Sequence, residues 1–146
     1  MTAAIYTVAS VCSFVGSQLA FDEVAKSDFE AKILLTLGKY IPHERINLKP
    51  QYFGDTGKVY SATASIIDIK IGLDSAVIEA VSSPRAVSSK FRAFYDIRKN
   101  PLYSNVVRLS VFDDSEDFAE GDIPLLQDVS NAVPFSALEK RIMEYV

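Results

Sequence analysis

Four side chains in this sequence have the types and spacing to do chemistry together: Glu30, Asp68, Lys70 and Glu79. Asp68 and Lys70 stand two residues apart in I-I-D-I-K-I, so on an extended strand both project from one face. If Ile71 pairs with Ala76 across a four-residue turn, Asp68 falls opposite Glu79 and Lys70 opposite Val77. Two like charges so opposed are unfavourable, and a bridging divalent cation relieves the cost. Hard carboxylate oxygens suit Mg²⁺ or Mn²⁺. A neighbouring lysine would stabilise charge on a phosphoryl oxygen or lower the pKa of an attacking water. Each residue also has a purely structural reading: Glu30 as a helix cap, Asp68 with Lys70 as a charged pair ending a strand, and Glu79 as an exposed strand residue.

These residues depend on the elements that carry them. Ser27-Asp28-Phe29-Glu30 has the form of a capping box, and Phe29, Ile33, Leu37 and Tyr40 follow at helical spacing until Pro42. The spacing predicts a helix with one core face. R-I-N-L-K-P-Q-Y-F reads as a strand, Gly54-Asp55-Thr56-Gly57 as a hairpin turn, and Val59 to Ile71 as a long return strand. Gly72 to Ser75 makes a second turn, Ser75 to Val81 a third strand, and the three strands a meander. Pro84 opens a second helix running to about Lys99; Asn105 to Phe112 is a further strand; Ile123 to Val129 and Ser136 to Tyr145 are helices. The sum is an α/β (α+β) domain spanning 1–146, a mixed central sheet of four or more strands flanked by helices. Its expected core includes Ile67, Ile69, Ile71, Ile78, Val107, Leu109 and Val111.

Composition narrows the partners. The 146 residues carry 15 Lys+Arg against 19 Asp+Glu, a net charge of −4 that repels nucleic acid at long range, so such a partner needs a local basic patch. Arg85, Lys90, Arg92, Arg98 and Lys99 supply one, interleaved with Phe91, Phe94 and Tyr95; the alternative is an ordinary helix with core aromatics and solvated charges. A single cysteine, Cys12, and a single histidine, His43, exclude an internal disulfide and a Cys/His zinc cage, and point to a reducing, cytoplasmic setting. Ala3 to Phe21 is mostly apolar, but it lacks a preceding basic residue and polar residues interrupt it, so it reads as a buried element rather than a membrane anchor. With the Phe91, Phe94 and Tyr95 cluster it exceeds the apolar surface a domain of this size buries alone, which predicts a homodimer or higher homo-oligomer. Gly54 to Lys58 lacks the spacing of a phosphate-binding loop, and no Ser nucleophile elbow occurs.

The order of elements and carboxylates over roughly Ser27 to Phe112 resembles the PD-(D/E)xK phosphodiesterase superfamily, the restriction-endonuclease-like fold. The resemblance implies a metal-dependent nuclease acting on DNA or RNA, or an inactive nuclease-like DNA-binding descendant. It places the helix glutamate at Glu30, as outer ligand or water positioner, the second-strand acid at Asp68 and the third-strand acid at Glu79, these two as Mg²⁺ or Mn²⁺ ligands. The family's lysine position falls on Val81, so the lysine has moved or the site is dead; Lys70 is the first candidate for a displaced lysine and Lys90 the second. Another register takes Asp55 as the first acid and Asp68-Ile69-Lys70 as the D-x-K. Arg85, Lys90, Arg92 and Lys99 would contact the nucleic acid. The alternative is a non-enzymatic structural or interaction subunit, for instance a viral or accessory one, assembling through its apolar N-terminus.

Overall fold

A computed structural model of the protein describes residues 28–146. The apolar run Ala3 to Phe21, Cys12 and Ser27 of the capping box lie outside the described residues. Helix α1 (Asp28–Tyr40) buries Phe29, Ile33, Leu34 and Leu37 along one stripe. After it come strand β1 (Ile46–Leu48), the short strands β2 (Gln51–Phe53) and β3 (Val59–Ser61), then β4 (Ala64–Asp68) and β5 (Leu73–Val81). Helix α2 (Val87–Lys99) leads to β6 (Val107–Phe112), and α3 (Asp122–Val129) to β7 (Asn131–Pro134); the short helix α4 (Leu138–Ile142) follows.

The main sheet has the order β1-β4-β5-β6-β7. Its first three strands are antiparallel and its last three parallel. Parallel pairing requires a crossover, which α2 supplies between β5 and β6 and α3 between β6 and β7. The protein is thus an α+β fold with a mixed five-stranded sheet, as the element pattern predicts. All of Ala76 to Val81 is buried, because helices cover both faces of the central strand. Side-chain alternation then sorts that strand. Ala76, Ile78 and Ala80 join α1 and α4 in one layer, whereas Val77 packs with Phe94 and Ile97 of α2, and Val81 with Val87 and Leu126.

The structure departs from the expected meander in three places. First, the turn at Gly54 to Gly57 does not join two strands of the main sheet; it closes a separate β2-β3 hairpin inserted between β1 and β4. This hairpin is pinned to α2 by Asp96. Its carboxylate accepts hydrogen bonds from the Thr56 N–H (3.1 Å), the Thr56 hydroxyl (2.6 Å) and the Tyr60 hydroxyl (2.8 Å). Gly54 passes so close that a Cβ there would stand 2.0 Å from Asp96 Oδ2. Asp55 sits in this turn, exposed, with its N–H on the Asp96 carbonyl at 3.0 Å.

Second, the strand expected over Val59 to Ile71 is broken at Ala62-Thr63 and ends at Asp68. Ile69 to Gly72 form the turn, closed by the Lys70 N–H on Asp68 Oδ1 (3.0 Å), the Gly72 N–H on the Asp68 carbonyl (2.8 Å) and a φ of 69° at Gly72. Ile69 and Ile71 are therefore exposed, at 62% and 64%, not core. Ile67 and Val107 are half-buried, while Ile78, Leu109 and Val111 are fully buried as expected.

Third, strand β7 was not foreseen. Its outer edge is covered by the Gln127 side-chain amide, whose Oε1 accepts the Ala132 N–H (3.1 Å) and whose Nε2 donates to the Ala132 carbonyl (3.4 Å). Among the described residues no helix is long and apolar enough to cross a membrane.

Candidate functional site

The register decides which carboxylates meet. In β4-β5, Ala64 pairs with Ile78 and Ile66 with Ala76, then a bulge after Ile66 brings Asp68 opposite Leu73. Asp68 and Glu79 therefore do not face each other; they belong to opposite ends of the β4-β5 pair. Lys70 lies in the exposed turn, not on a strand face beside Asp68, and contributes nothing near Glu79. The expected Asp68, Glu79 and Lys70 constellation is not assembled, because the chain turns three residues earlier than the alternation of isoleucines suggested.

A different set of residues gathers at the other end. Glu79 projects toward α2, with its side chain only 7% exposed. Its Oε1 accepts a hydrogen bond from the Thr63 hydroxyl at 2.9 Å and pairs with Lys90 Nζ at 3.2 Å. Lys90 reaches it because Val87, Lys90, Phe94 and Ile97 share one stripe of α2, and Val87, Phe94 and Ile97 bury that stripe on the sheet. Both contacts fall on Oε1, so Oε2 has no hydrogen-bond partner among the described residues. Beside Glu79 in the parallel register stands Ser110, fully buried and sharing a 2.6 Å hydrogen bond with the Ser130 hydroxyl.

Thr63 is the junction of the site. Its hydroxyl donates to Glu79 and accepts the Ala80 N–H (3.1 Å), its own N–H donates to the Ile78 carbonyl (3.1 Å), and its carbonyl accepts the Lys49 N–H (3.3 Å). Lys49 in turn places its ammonium 2.9 Å from Glu30 Oε1, and Glu30, in the first turn of α1, is itself buried. Lys49 has φ of 52°, immediately before Pro50. That left-handed backbone costs a side-chain-bearing residue roughly 1–2 kcal/mol, and it is held by the contacts at both its ends. The arrangement is a string: Glu30, Lys49, Thr63, Glu79, Lys90.

Of the expected site residues, the structure thus keeps Glu30 and Glu79 as buried acids and Lys90 as the lysine beside Glu79. The pattern of residue types missed Lys49 and Thr63. A lysine before proline carries no sign that its backbone turns left-handed, and a threonine among β-branched residues reads as strand filler. Val81 is fully buried in apolar surroundings. Among the described residues no group of three or more His, Cys, Asp or Glu could hold a metal ion. Glu79 Oε2 belongs to a side chain only 7% exposed and makes no hydrogen bond to another described residue; a buried polar atom of this kind is satisfied by ordered water or an ion.

The basic residues of the second helix divide. Arg92 and Lys99 are exposed and seven residues apart, so they fall near one line along α2, and Arg85 is exposed in the turn that precedes the helix, whereas Lys90 turns inward to Glu79. Lys99 and Arg98 lie over the Tyr95 ring at 4.5 Å and 5.3 Å. Phe94 is core, as the plainer reading of the helix expected. Compared with known protein families, curated proteins and solved structures, the chain matches none.

Proposed function

We propose that this protein is a nuclease-like protein that hydrolyses nucleic-acid phosphodiesters with Mg²⁺ or Mn²⁺ at Glu79, aided by Lys90, Lys49 and Glu30. The observation that carries the proposal is the buried Glu79 carboxylate, with one oxygen spent on Thr63 and Lys90 and the other without a hydrogen bond among the described residues. Ion pairs that desolvate a carboxylate add little net stability, so two glutamate–lysine pairs with buried acids and half-buried lysines, joined through Thr63, favour a chemical role. The order of helix, three antiparallel strands, crossover helix and parallel strand supports the reading, since that is the order the resemblance implies. When bound at Glu79, a divalent ion would polarise a phosphoryl oxygen. Lys90 would then stabilise developing negative charge on that phosphoryl, Lys49 would hold Glu30 in place, and Arg85, Arg92 and Lys99 would contact backbone phosphates.

A second reading, a nuclease-like binding protein without catalysis, is favoured by one specific observation: a hydroxyl, Thr63, stands beside Glu79, so only one acid is in contact there. Incubating the protein with labelled single- and double-stranded DNA and RNA in Mg²⁺ or Mn²⁺, alongside melting curves with and without Mn²⁺, decides between them. The catalytic reading expects cleavage lost in Glu79→Gln, and a Mn²⁺-dependent stabilisation of about 2.7 kcal/mol at a hundred times the dissociation constant. Retained binding with neither effect establishes the second reading. Absence of cleavage, binding and metal response removes both.

A further inference from the structure

The end of the β4-β5 pair that lost the predicted site has a character of its own. Ile69, Ile71 and Leu73 are 62%, 64% and 65% exposed, crowded into one turn that projects from the sheet. Three large aliphatic side chains at one exposed tip are not the scattered apolar residues of an ordinary surface. At the base of this finger lies an open groove of about 540 Å³. The finger forms one wall through Asp68, Ile69 and Lys70, and the C-terminal segment forms the other through Glu144 and Tyr145. Arg45 contributes to the groove but is held in place by its Nε on the Ile67 carbonyl at 2.9 Å.

We infer that the finger and groove form a two-fold interface between two copies of this chain, each placing Ile71 and Leu73 in the other's groove. Two features on this one surface select a second copy as the occupant. A projecting aliphatic knob sits beside a partly apolar groove large enough for aliphatic side chains, so the surface is complementary to itself, as an isologous contact requires. Its charges are complementary in the same sense. Lys70 on the finger and Glu144 on the opposite wall are both exposed, and among the described residues Glu144 pairs with the half-buried Arg141 at 3.4 Å. Exchange of fingers sets Lys70 of each copy against Glu144 of the other, in duplicate. The interface also leaves the opposite end of β4-β5 open, where Thr63 and Glu79 lie.

Sedimentation equilibrium of the full chain, with and without Ile71→Asp, tests this. The wild type is expected to be dimeric at micromolar concentration, and Ile71→Asp to weaken the dimer at least about thirty-fold, the loss typical of a central interface residue. Lys70→Glu should weaken it as well, and Lys70→Glu with Glu144→Lys should restore it. Because all of these positions are exposed, far-UV circular-dichroism spectra of the variants should match the wild type, and their melts should match it at concentrations below the dimer dissociation constant. A wild type that stays monomeric into the high micromolar range overturns the inference, whether residues 1–27 or another protein covers the finger instead. A dimer that survives both Ile71→Asp and Lys70→Glu overturns it equally, since its interface then lies elsewhere.

Discussion

Replacing Lys90 by methionine separates the buried charge at Glu79 from its partner while keeping the aliphatic stem in the α2 stripe. The side chain is 7% exposed and, among the described residues, would retain only the Thr63 hydroxyl, 2.9 Å from Oε1. Breaking a fully buried pair from one side costs about 3–5 kcal/mol. The Lys90 side chain is 26% exposed, so water already screens part of the pair and the expected loss is about 2–3 kcal/mol. Glu79→Gln removes the charge but keeps an acceptor for Thr63, and the freed ammonium can reach water, so it should cost at most about 1 kcal/mol. The double variant should return to within about 1 kcal/mol of the wild type, because its two changes cancel through the interaction they share. Urea unfolding at neutral pH and low salt measures all four proteins. If the single effects simply add, or if Lys90→Met costs less than about 0.5 kcal/mol, Glu79 is not a desolvated charge held by Lys90 and the reasoning fails. If the double variant is at least as stable as the wild type, the pair is retained for something other than the fold.

Gly54→Ala should destabilise strongly, since the new Cβ would meet the Asp96 carboxylate at 2.0 Å and Asp96 cannot withdraw without releasing Thr56 and Tyr60; loss of the hairpin's protection in hydrogen exchange is the measurement. The Thr56 hydroxyl, with further help from Tyr60 and backbone N–H groups, holds the Asp96 carboxyl below the usual carboxylate range. A depressed folded-state pKa contributes stability above the unfolded value near 3.9 that disappears as pH falls through the folded one, so acid should destabilise the wild type more steeply than Asp96→Asn, read from thermal melts between neutral pH and strong acid.

Much of the frame is legible from residue types. The stripe of Phe29, Ile33 and Leu37 fixes α1 and its buried face, and the β-branched runs ending at Val81 and Phe112 place β5 and β6. What eluded the sequence depends on where the chain turns. Ile67, Ile69 and Ile71 keep strand alternation beyond the last ladder position, so composition alone carries the strand past Asp68, where local hydrogen bonds to that aspartate and the φ of Gly72 end it. One misplaced turn shifts the register and leaves Thr63, rather than Asp68, beside Glu79. Strand β7 escaped notice because four residues ending in proline carry almost no strand signal. Glu30 and Glu79 are legible as residues of α1 and β5 from the element pattern, though their burial is not. Lys49 was not, since its position depends on a backbone angle that its residue type disfavours.

The Gln127 amide on the rim of β7 acts as a resident competitor. Any extended peptide that would lengthen the sheet on that side must form its pairs with Ala132 against a side chain tethered five residues away, present at an effective concentration no free strand in solution matches. Growth of the sheet beyond β7 is thereby set by one rotamer. While the amide is docked the sheet ends at five strands, and when it swings out the rim offers the vacant N–H and C=O of Ala132 as a template for strand addition.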